Sequence, residues 1–214
     1  MGAATWVLEH QRTFLVAARD HLMLSAAALA IVMGLGLPAA LALAGLPRLA
    51  AGIVALANVL RTIPSLALLV LMLPLLGTGF LPAVAALALY GFPALLINAL
   101  AGLTGTDPDV VDAARGQGLS GAQVLARVRV PLALPVVFAG LRTAAVQIVS
   151  AATLAAFVGG GGLGELITAG MGTLDFPQLV AGGLAVAALA VATELLFGAL
   201  ERAATRPLRE EAQA

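Results

Sequence analysis

The hydrophobic residues of this chain fall into long uninterrupted runs separated by short polar connections. Five runs are long enough to cross a bilayer as helices, since about 20 apolar residues span roughly 30 Å of hydrocarbon. They occupy residues 22–46, 50–76, 81–103, 136–158 and 179–200. Lipid offers the backbone no hydrogen-bond partners, so such runs form helices, and they lack the alternation of a membrane β-barrel. The pattern predicts an all-α integral membrane protein with five transmembrane helices, in a single domain over residues 1–214.

The composition supports this prediction and excludes several kinds of chemistry. The chain is 61% hydrophobic and 10% charged, whereas a soluble domain has about 25% charged residues. All 11 basic residues are arginine, and a phosphate-binding P-loop requires a lysine. With no cysteine and only His10 and His21 outside the long apolar runs, we expect no catalytic residue, no metal site and no cofactor in the chain itself.

The arginines predict the orientation, because cytoplasmic connections carry an excess of basic residues. With five spans the two termini lie on opposite sides. The side that carries the C-terminal tail (201–214) holds seven arginines against two, Arg12 and Arg19, on the other. The seven are Arg48, Arg115, Arg127, Arg129, Arg202, Arg206 and Arg209. We therefore expect a multi-pass membrane protein with its N-terminus outside and its C-terminus in the cytoplasm.

Two further features flank or interrupt the spans. Residues 5–19 mix charged and apolar positions around Trp6 and Phe14, which predicts a short interfacial helix ahead of the five-span core at 22–200. Arg61 and Pro64 interrupt the second span. Because an arginine at the bilayer centre is costly, we expect Arg61 to face water or protein or to lie near the cytoplasmic boundary, rather than to contact substrate.

The connection over residues 106–135 predicts two short cytoplasmic helices. Asp107 is a suitable N-cap before Pro108, and a helix over 110–117 is expected to end at Gly118, a typical C′ residue. A second helix, over about 120–128, is expected to end before Pro131 and Pro135. Composition alone also fits an ordinary amphipathic loop.

This connection resembles the cytoplasmic signature of binding-protein-dependent ABC importer permeases. That signature places Glu-Ala-Ala, three residues, Gly, nine residues, Ile, one residue and Leu-Pro in register. The matching residues here are Asp112, Ala113, Ala114, Gly118, Val128, Val130 and Pro131. Aspartate replaces glutamate, and valine replaces both isoleucine and leucine.

The resemblance implies that residues 106–131 couple the chain to a separate ATPase, which would bind ATP and Mg²⁺. The small residues Ala113, Ala114 and Gly118 would permit close approach, and Asp112 and Arg115 would supply polar contacts. The implied fold is the type I importer permease fold found in methionine importers. The implied partners are two ATPase subunits, a second permease copy or a paralogue, an extracytoplasmic binding protein and membrane lipid, and no nucleic acid.

The resemblance extends over about residues 20–200 and favours one branch of the family. NVLRTIPSLALLVLMLPLLGTG (58–79), VPLALP (130–135) and TLAAFVGGGGLGELI (153–167) look like the permeases of osmoprotectant importers, which carry glycine betaine, choline and carnitine. Methionine or another amino-acid-like solute is the main rival substrate. Aromatic residues are only 4%, so we expect selectivity to lie in the binding protein, with Tyr90 a minor contact.

Polar and glycine residues within the spans are candidates for the pathway or gate. Thr143, Gln147 and Ser150 share one face of the fourth span, and interhelical hydrogen bonding explains them as readily as pathway lining. The 159–164 stretch fits GxGxxG but follows a span and not a strand, so a break or gate between spans is favoured over a dinucleotide site. The full candidate set is Arg61, Pro64, Ser65, Asn98, Thr143, Gln147, Ser150, Phe157, Gly161 and Glu165.

Two other classes of membrane protein remain as alternatives. An intramembrane serine protease needs a serine nucleophile and a histidine base at membrane depth, and the two histidines lie outside the apolar runs. An ATP-independent carrier or channel is expected to show paired inverted repeats, and it leaves the 106–131 signature unexplained. The sequence therefore favours a transporter subunit that is not itself an enzyme.

Overall fold

The computed structural model describes the backbone of residues 2–211 and the side chains of residues 2–206, and every regular element in this part is helical. The first five helices are α1 (Ala3–Glu9), α2 (Gln11–Leu43), α3 (Pro47–Leu60), α4 (Ser65–Leu76) and α5 (Phe80–Thr104). Then come α6 (Pro108–Gly116), α7 (Gly121–Val124), a π-helical turn (Leu125–Arg129), α8 (Val130–Ala151), a 3₁₀ segment (Ala152–Val158), α9 (Leu163–Thr173) and α10 (Phe176–Glu211).

Four helical stretches in the described residues are long and apolar enough to cross a membrane, and a fifth crossing is broken in two. The four are Gln11–Leu43, Phe80–Thr104, Gly121–Val158 and Phe176–Arg206. The fifth consists of α3 and α4, which meet at an angle of 97°. Four of the five predicted spans are thus confirmed as single apolar stretches, and the second is a bent pair.

The bent pair connects opposite ends of α5. Ala50 on α3 belongs to a core cluster with Leu100 and Leu103, near the end of α5. Leu68 on α4 belongs to the cluster that contains Ala83, near the start of α5. The pair therefore passes from one end of the bundle to the other and counts as one crossing. Its break follows from Pro64, because proline has no N–H and restrains the preceding residue to extended backbone.

The centre of the bundle is the contact between α5 and α8, and it depends on glycine. A Cβ on Gly91 would lie 2.6 Å from the Cδ1 atom of Ile148. A Cβ on Gly140 would lie 2.5 Å from the Cβ of Asn98 and 3.2 Å from the Ala94 carbonyl oxygen. Small residues let membrane helices approach closely, where dispersion forces hold them together. These two helices therefore form the fixed frame on which the candidate site is built.

The predicted interfacial helix over 5–19 is wrong in its extent. The chain bends at His10, so that α1 ends at Glu9 and residues 11–19 already belong to the long helix α2. Trp6 stacks on His10 at a ring separation of 4.6 Å. Trp6 is only 7% exposed and shares a cluster with residues of α2, α9 and α10. Packing against protein therefore replaces the expected interfacial position of Trp6.

The last two spans also differ from their predicted bounds. The fourth is part of one continuous helical stretch, Gly121–Val158, whose last turns narrow to 3₁₀ geometry. The fifth, α10, begins at Phe176 and includes the tail as far as Glu211. The remaining tail residues, 212–214, and the side chain of Arg209 lie outside the described residues. Between the two spans α9 occupies a connection for which the sequence predicted a glycine break.

Candidate functional site: a two-helix hairpin and a membrane recess

The first helix of the 106–135 connection has the predicted cap at Asp107 and the predicted glycine at its end, and it spans Pro108–Gly116. The Asp107 carboxylate accepts a hydrogen bond of 2.9 Å from the Asp109 backbone N–H, and Pro108 is the first helical residue. At the other end Gly118 has a φ of +86°, which disfavours residues with a side chain. The backbone N–H of Gly118 donates to Arg115 and that of Leu119 donates to Ala114. These two bonds form a Schellman motif, which fixes the end of α6.

The second helix begins with a capping box and does not end where the sequence predicted. The Ser120 and Gln123 side chains each accept a hydrogen bond from the other residue's backbone N–H. The helix then continues through the π-helical turn into α8, with Pro131 and Pro135 inside the continuous stretch. In a π turn the bonds shift to i→i−5, as from Val130 to Leu125, and this widening accommodates the proline ring.

We call residues 107–128 the coupling hairpin, after the role that the sequence resemblance predicts for them. Its helices α6 and α7 pack against each other through a small apolar core. Val111, Ala114 and Val124 are buried in that core, and Leu119 and Val128 pack against it. The expectation that Ala114 allows a partner to approach is therefore wrong, because Ala114 is 8% exposed and faces the hairpin interior. Val128 likewise supports the hairpin from within.

The remaining signature residues of the hairpin face outward. Ala113 and Gly118 are exposed. Asp112 and Arg115 are also exposed, and their side chains form an ion pair at 3.6 Å. Pro131 lies at the start of α8 and is partly buried. The hairpin thus presents a compact surface of small and charged residues at the end of a 38-residue helical stretch that continues through the membrane.

Three of the predicted pathway residues line one recess in the membrane part of the bundle. Ser65 at the start of α4, with Gln147 and Ser150 on α8, faces a recess of about 510 Å³. The other lining residues are Tyr90, Val146, Ala151, Thr153 and Leu154. Thr143 lies one turn before Gln147 on α8, and its hydroxyl donates to the Ala139 carbonyl at 2.9 Å. Sequence reasoning missed Thr153, although it continues the same helix face three residues after Ser150.

Three other candidates do not line this recess. Asn98 donates to the Ala94 carbonyl at 2.8 Å within α5 and packs against Gly140, so its contacts are structural. Arg61 and Pro64 are exposed at the bend between α3 and α4. They determine the bend, which in turn places Ser65 at the recess.

Gly161 and Glu165 lie together at the end of the bundle where α2 begins. Gly161 lines a recess of about 330 Å³ with Asp20 and Phe80. Glu165 and Asp20 line a neighbouring recess of about 310 Å³, along with Arg12. Phe157, one turn earlier in the 3₁₀ segment, is 60% exposed.

The glycine stretch at 159–164 is held in place by several contacts. Gly159, Gly161 and Gly162 have φ values of +72°, +84° and +89°. A Cβ on Gly162 would lie 3.2 Å from the Cα and Nδ1 atoms of His21. The sequence placed His21 outside the apolar runs, but it is fully buried, and its Nε2–H donates to the Val149 carbonyl at 2.9 Å.

A charge cluster between α8 and α10 was not predicted. The Arg142 guanidinium lies 3.4 Å from the Glu194 carboxylate and 3.6 Å from the Glu201 carboxylate. The available signal was the spacing of Glu194 and Glu201, which are seven residues apart and therefore share one face of α10. Arg142 offsets one of the two carboxylate charges, which lowers the cost of placing the cluster between membrane helices.

The chain also matches a known family of membrane transport components. Residues 33–206 match the family described as binding-protein-dependent transport system inner membrane component. This chain belongs to that family, which confirms the resemblance drawn from residues 106–135.

Several relatives and a solved structure extend the comparison. The chain is 35% identical to the carnitine transport permease protein OpuCB of Listeria monocytogenes, over 96% of this chain and 95% of that one. It is 37% identical to the osmoprotectant import permease protein OsmW of Salmonella typhimurium, over 85% of this chain and 87% of that one. The inward-facing MetNI methionine ABC transporter matches with a TM-score of 0.80 at 20% identity, covering 91% of this chain and 97% of its own. The last match confirms the predicted type I importer permease fold.

Proposed function

We propose that this chain is the membrane-spanning subunit of an ATP-driven importer of quaternary amine osmoprotectants, of the glycine betaine, choline and carnitine class. The observation that carries the proposal is the coupling hairpin, a rigid two-helix projection that is continuous with a membrane-crossing helix. The substrate class is supported by relatives named for carnitine, choline, glycine betaine or osmoprotectants, at 33–37% identity.

The coupling hairpin acts as the docking element for a separate ATPase. Ala113 and Gly118 permit close approach of the ATPase, and Asp112 and Arg115 contribute polar contacts. Val111, Ala114 and Val124 keep the projection rigid from within. When two ATPase subunits close on ATP, each displaces its hairpin, and the continuous Gly121–Val158 stretch carries that displacement to the recess and the glycine segment.

The remaining parts of the importer come from other chains. Two ATPase subunits bind ATP and Mg²⁺ and hydrolyse the nucleotide, so this chain catalyses no covalent reaction. A second permease, either a copy or a paralogue, forms the pathway with it, and an extracytoplasmic binding protein delivers the substrate. The subunit lies in the bacterial inner membrane, with its N-terminus outside and the coupling hairpin and C-terminus in the cytoplasm.

Reconstitution with the partner proteins tests this function. The permease, its ATPase and its binding protein are placed in proteoliposomes, and uptake of radiolabelled glycine betaine, choline, carnitine and methionine is measured with and without ATP. We expect ATP-dependent uptake of at least one quaternary amine and none of methionine. Methionine uptake alone would assign the chain to an amino-acid importer, and amine uptake that does not depend on ATP would contradict the docking role.

A further inference from the structure

The recess between α4, α5 and α8 has a lining that suits one kind of ligand. Ser65 lies at the break in the second crossing, Tyr90 lies in the middle part of α5, and Gln147 and Ser150 lie on α8. Its volume of about 510 Å³ exceeds that of a small organic solute. It opens from the bundle interior to the outside of this subunit, so a second chain is needed to close it.

One polar group of this recess lacks a hydrogen-bond partner among the described residues. Most threonines in the described helices donate their hydroxyl to a carbonyl one turn earlier, as Thr143 and Thr193 do. Thr153 differs, because its buried hydroxyl has no hydrogen-bond partner in the described part of the chain. Unsatisfied polar groups in a membrane interior are unfavourable.

The charge and shape of the lining restrict the ligand class. None of the eight lining residues is an aspartate, glutamate, histidine, lysine or arginine, so the lining offers no acidic or basic side chain as a counter-charge. A primary amine needs acceptors and a counter-charge for its three N–H groups. A quaternary ammonium has no N–H group, and it is attracted to the face of an aromatic ring. Tyr90 is the only aromatic residue of the lining.

We propose that this recess is a transient half-site for quaternary ammonium solutes, with the Tyr90 ring facing the cationic head. Ser65, Gln147 and Ser150 offer hydrogen bonds to the carboxylate or hydroxyl at the other end of the solute. The proposal rests on the proposed function, because it assigns the substrate contacts of that same pathway. One aromatic face gives weak binding, which suits a site that must release its solute at every cycle.

Binding to the permease–ATPase complex without the binding protein tests the half-site. Radiolabelled glycine betaine is titrated onto the complex in nanodiscs, and tetramethylammonium and a neutral alcohol of similar size, 2,2-dimethylpropan-1-ol, are used as competitors. Tyr90→Leu removes the ring, whereas Tyr90→Phe and Tyr90→Trp retain one. Phe92→Leu removes an aromatic ring from the same helix outside this recess and is the matched control.

We expect Tyr90→Leu to weaken glycine betaine binding about 2- to 30-fold, which corresponds to one cation–π contact of about 0.5–2 kcal/mol. Tyr90→Phe, Tyr90→Trp and Phe92→Leu should stay near wild type, and tetramethylammonium should compete better than the neutral alcohol. Equal binding by Tyr90→Leu and wild type would overturn the half-site, as would equal competition by the two probes.

The assay also separates the half-site from the proposed function. If wild-type proteoliposomes take up no quaternary amine, the proposed function fails. If they take it up and Tyr90→Leu does so at the wild-type rate with unchanged binding, only the half-site fails. If Tyr90→Leu is poorly folded, Gln147→Leu is the second variant. The proposal would be overturned if Gln147→Leu bound glycine betaine as tightly as wild type and the two probes competed equally.

Discussion

Gly118 offers the sharpest test of the coupling hairpin. Glycine is favoured at this position by the backbone conformation, and not by a lack of space for a side chain. Its φ is +86°, and no heavy atom lies within 4 Å of an added Cβ. Alanine there meets no neighbour, so its penalty is the left-handed backbone alone, about 1–2 kcal/mol. A penalty of that size changes a local conformational equilibrium by about 5- to 30-fold. We therefore expect Gly118→Ala to loosen the Schellman end of α6.

The expected functional result is partial uncoupling. In proteoliposomes with the partner ATPase and binding protein, Gly118→Ala should retain ATP hydrolysis but lower the amount of solute imported per ATP. Hydrogen exchange of residues 108–124 should accelerate in the same variant. Gly118→Asn should recover much of the loss, because asparagine tolerates the left-handed region better than other residues with a side chain.

Gly116→Ala is the matched control. Gly116 lies two residues earlier, at the end of α6, with ordinary helical backbone and no atom within 4 Å of an added Cβ. Alanine there should be neutral or stabilise the helix by about 0.5–1 kcal/mol. The reasoning is refuted if Gly118→Ala imports solute with wild-type coupling. It is also refuted if Gly116→Ala uncouples equally, since added bulk would then matter and backbone conformation would not.

Three further predictions concern the frame and the orientation. Gly140→Ala should separate α5 from α8 and lower the free energy of unfolding by about 1–3 kcal/mol, measured by thermal unfolding in detergent. Arg142→Met leaves two carboxylates unpaired between helices, and, because this cluster is partly exposed, it should destabilise by about 1–3 kcal/mol in the same assay. In this cysteine-free chain, Gln117→Cys should react with an impermeant maleimide only from the cytoplasm, and Leu174→Cys only from outside.

Each of these has its own control. Gly52→Ala places a Cβ where no atom lies within 4 Å, so it should keep wild-type stability, and an equal loss there would discount the packing argument. Arg142→Lys keeps the charge and should retain part of the stability, whereas a loss as large as that of Arg142→Met would point to shape and not to charge. Labelling of both cysteines from one side would contradict the five-crossing topology.

The sequence by itself determined the features that depend on neighbouring residues. The length and hydrophobicity of an apolar run depend only on consecutive residues, so the spans were predicted without knowledge of the fold. The same holds for α6, whose Asp107 cap and Gly118 end are separated by only eleven positions. Arg61 and Pro64 also marked the break in the second crossing, because proline acts on its own helix.

Only the tertiary structure decided which distant residues meet. The inward turn of Ala114 depends on Val124 from the next helix, and the pairing of Arg142 depends on two residues of α10. Ser65, Tyr90 and Gln147 come from three helices, and their common recess exists because α5 and α8 pack closely through Gly91 and Ile148. Helix periodicity determines which residues share a face, but it contains no information on which other helix that face contacts.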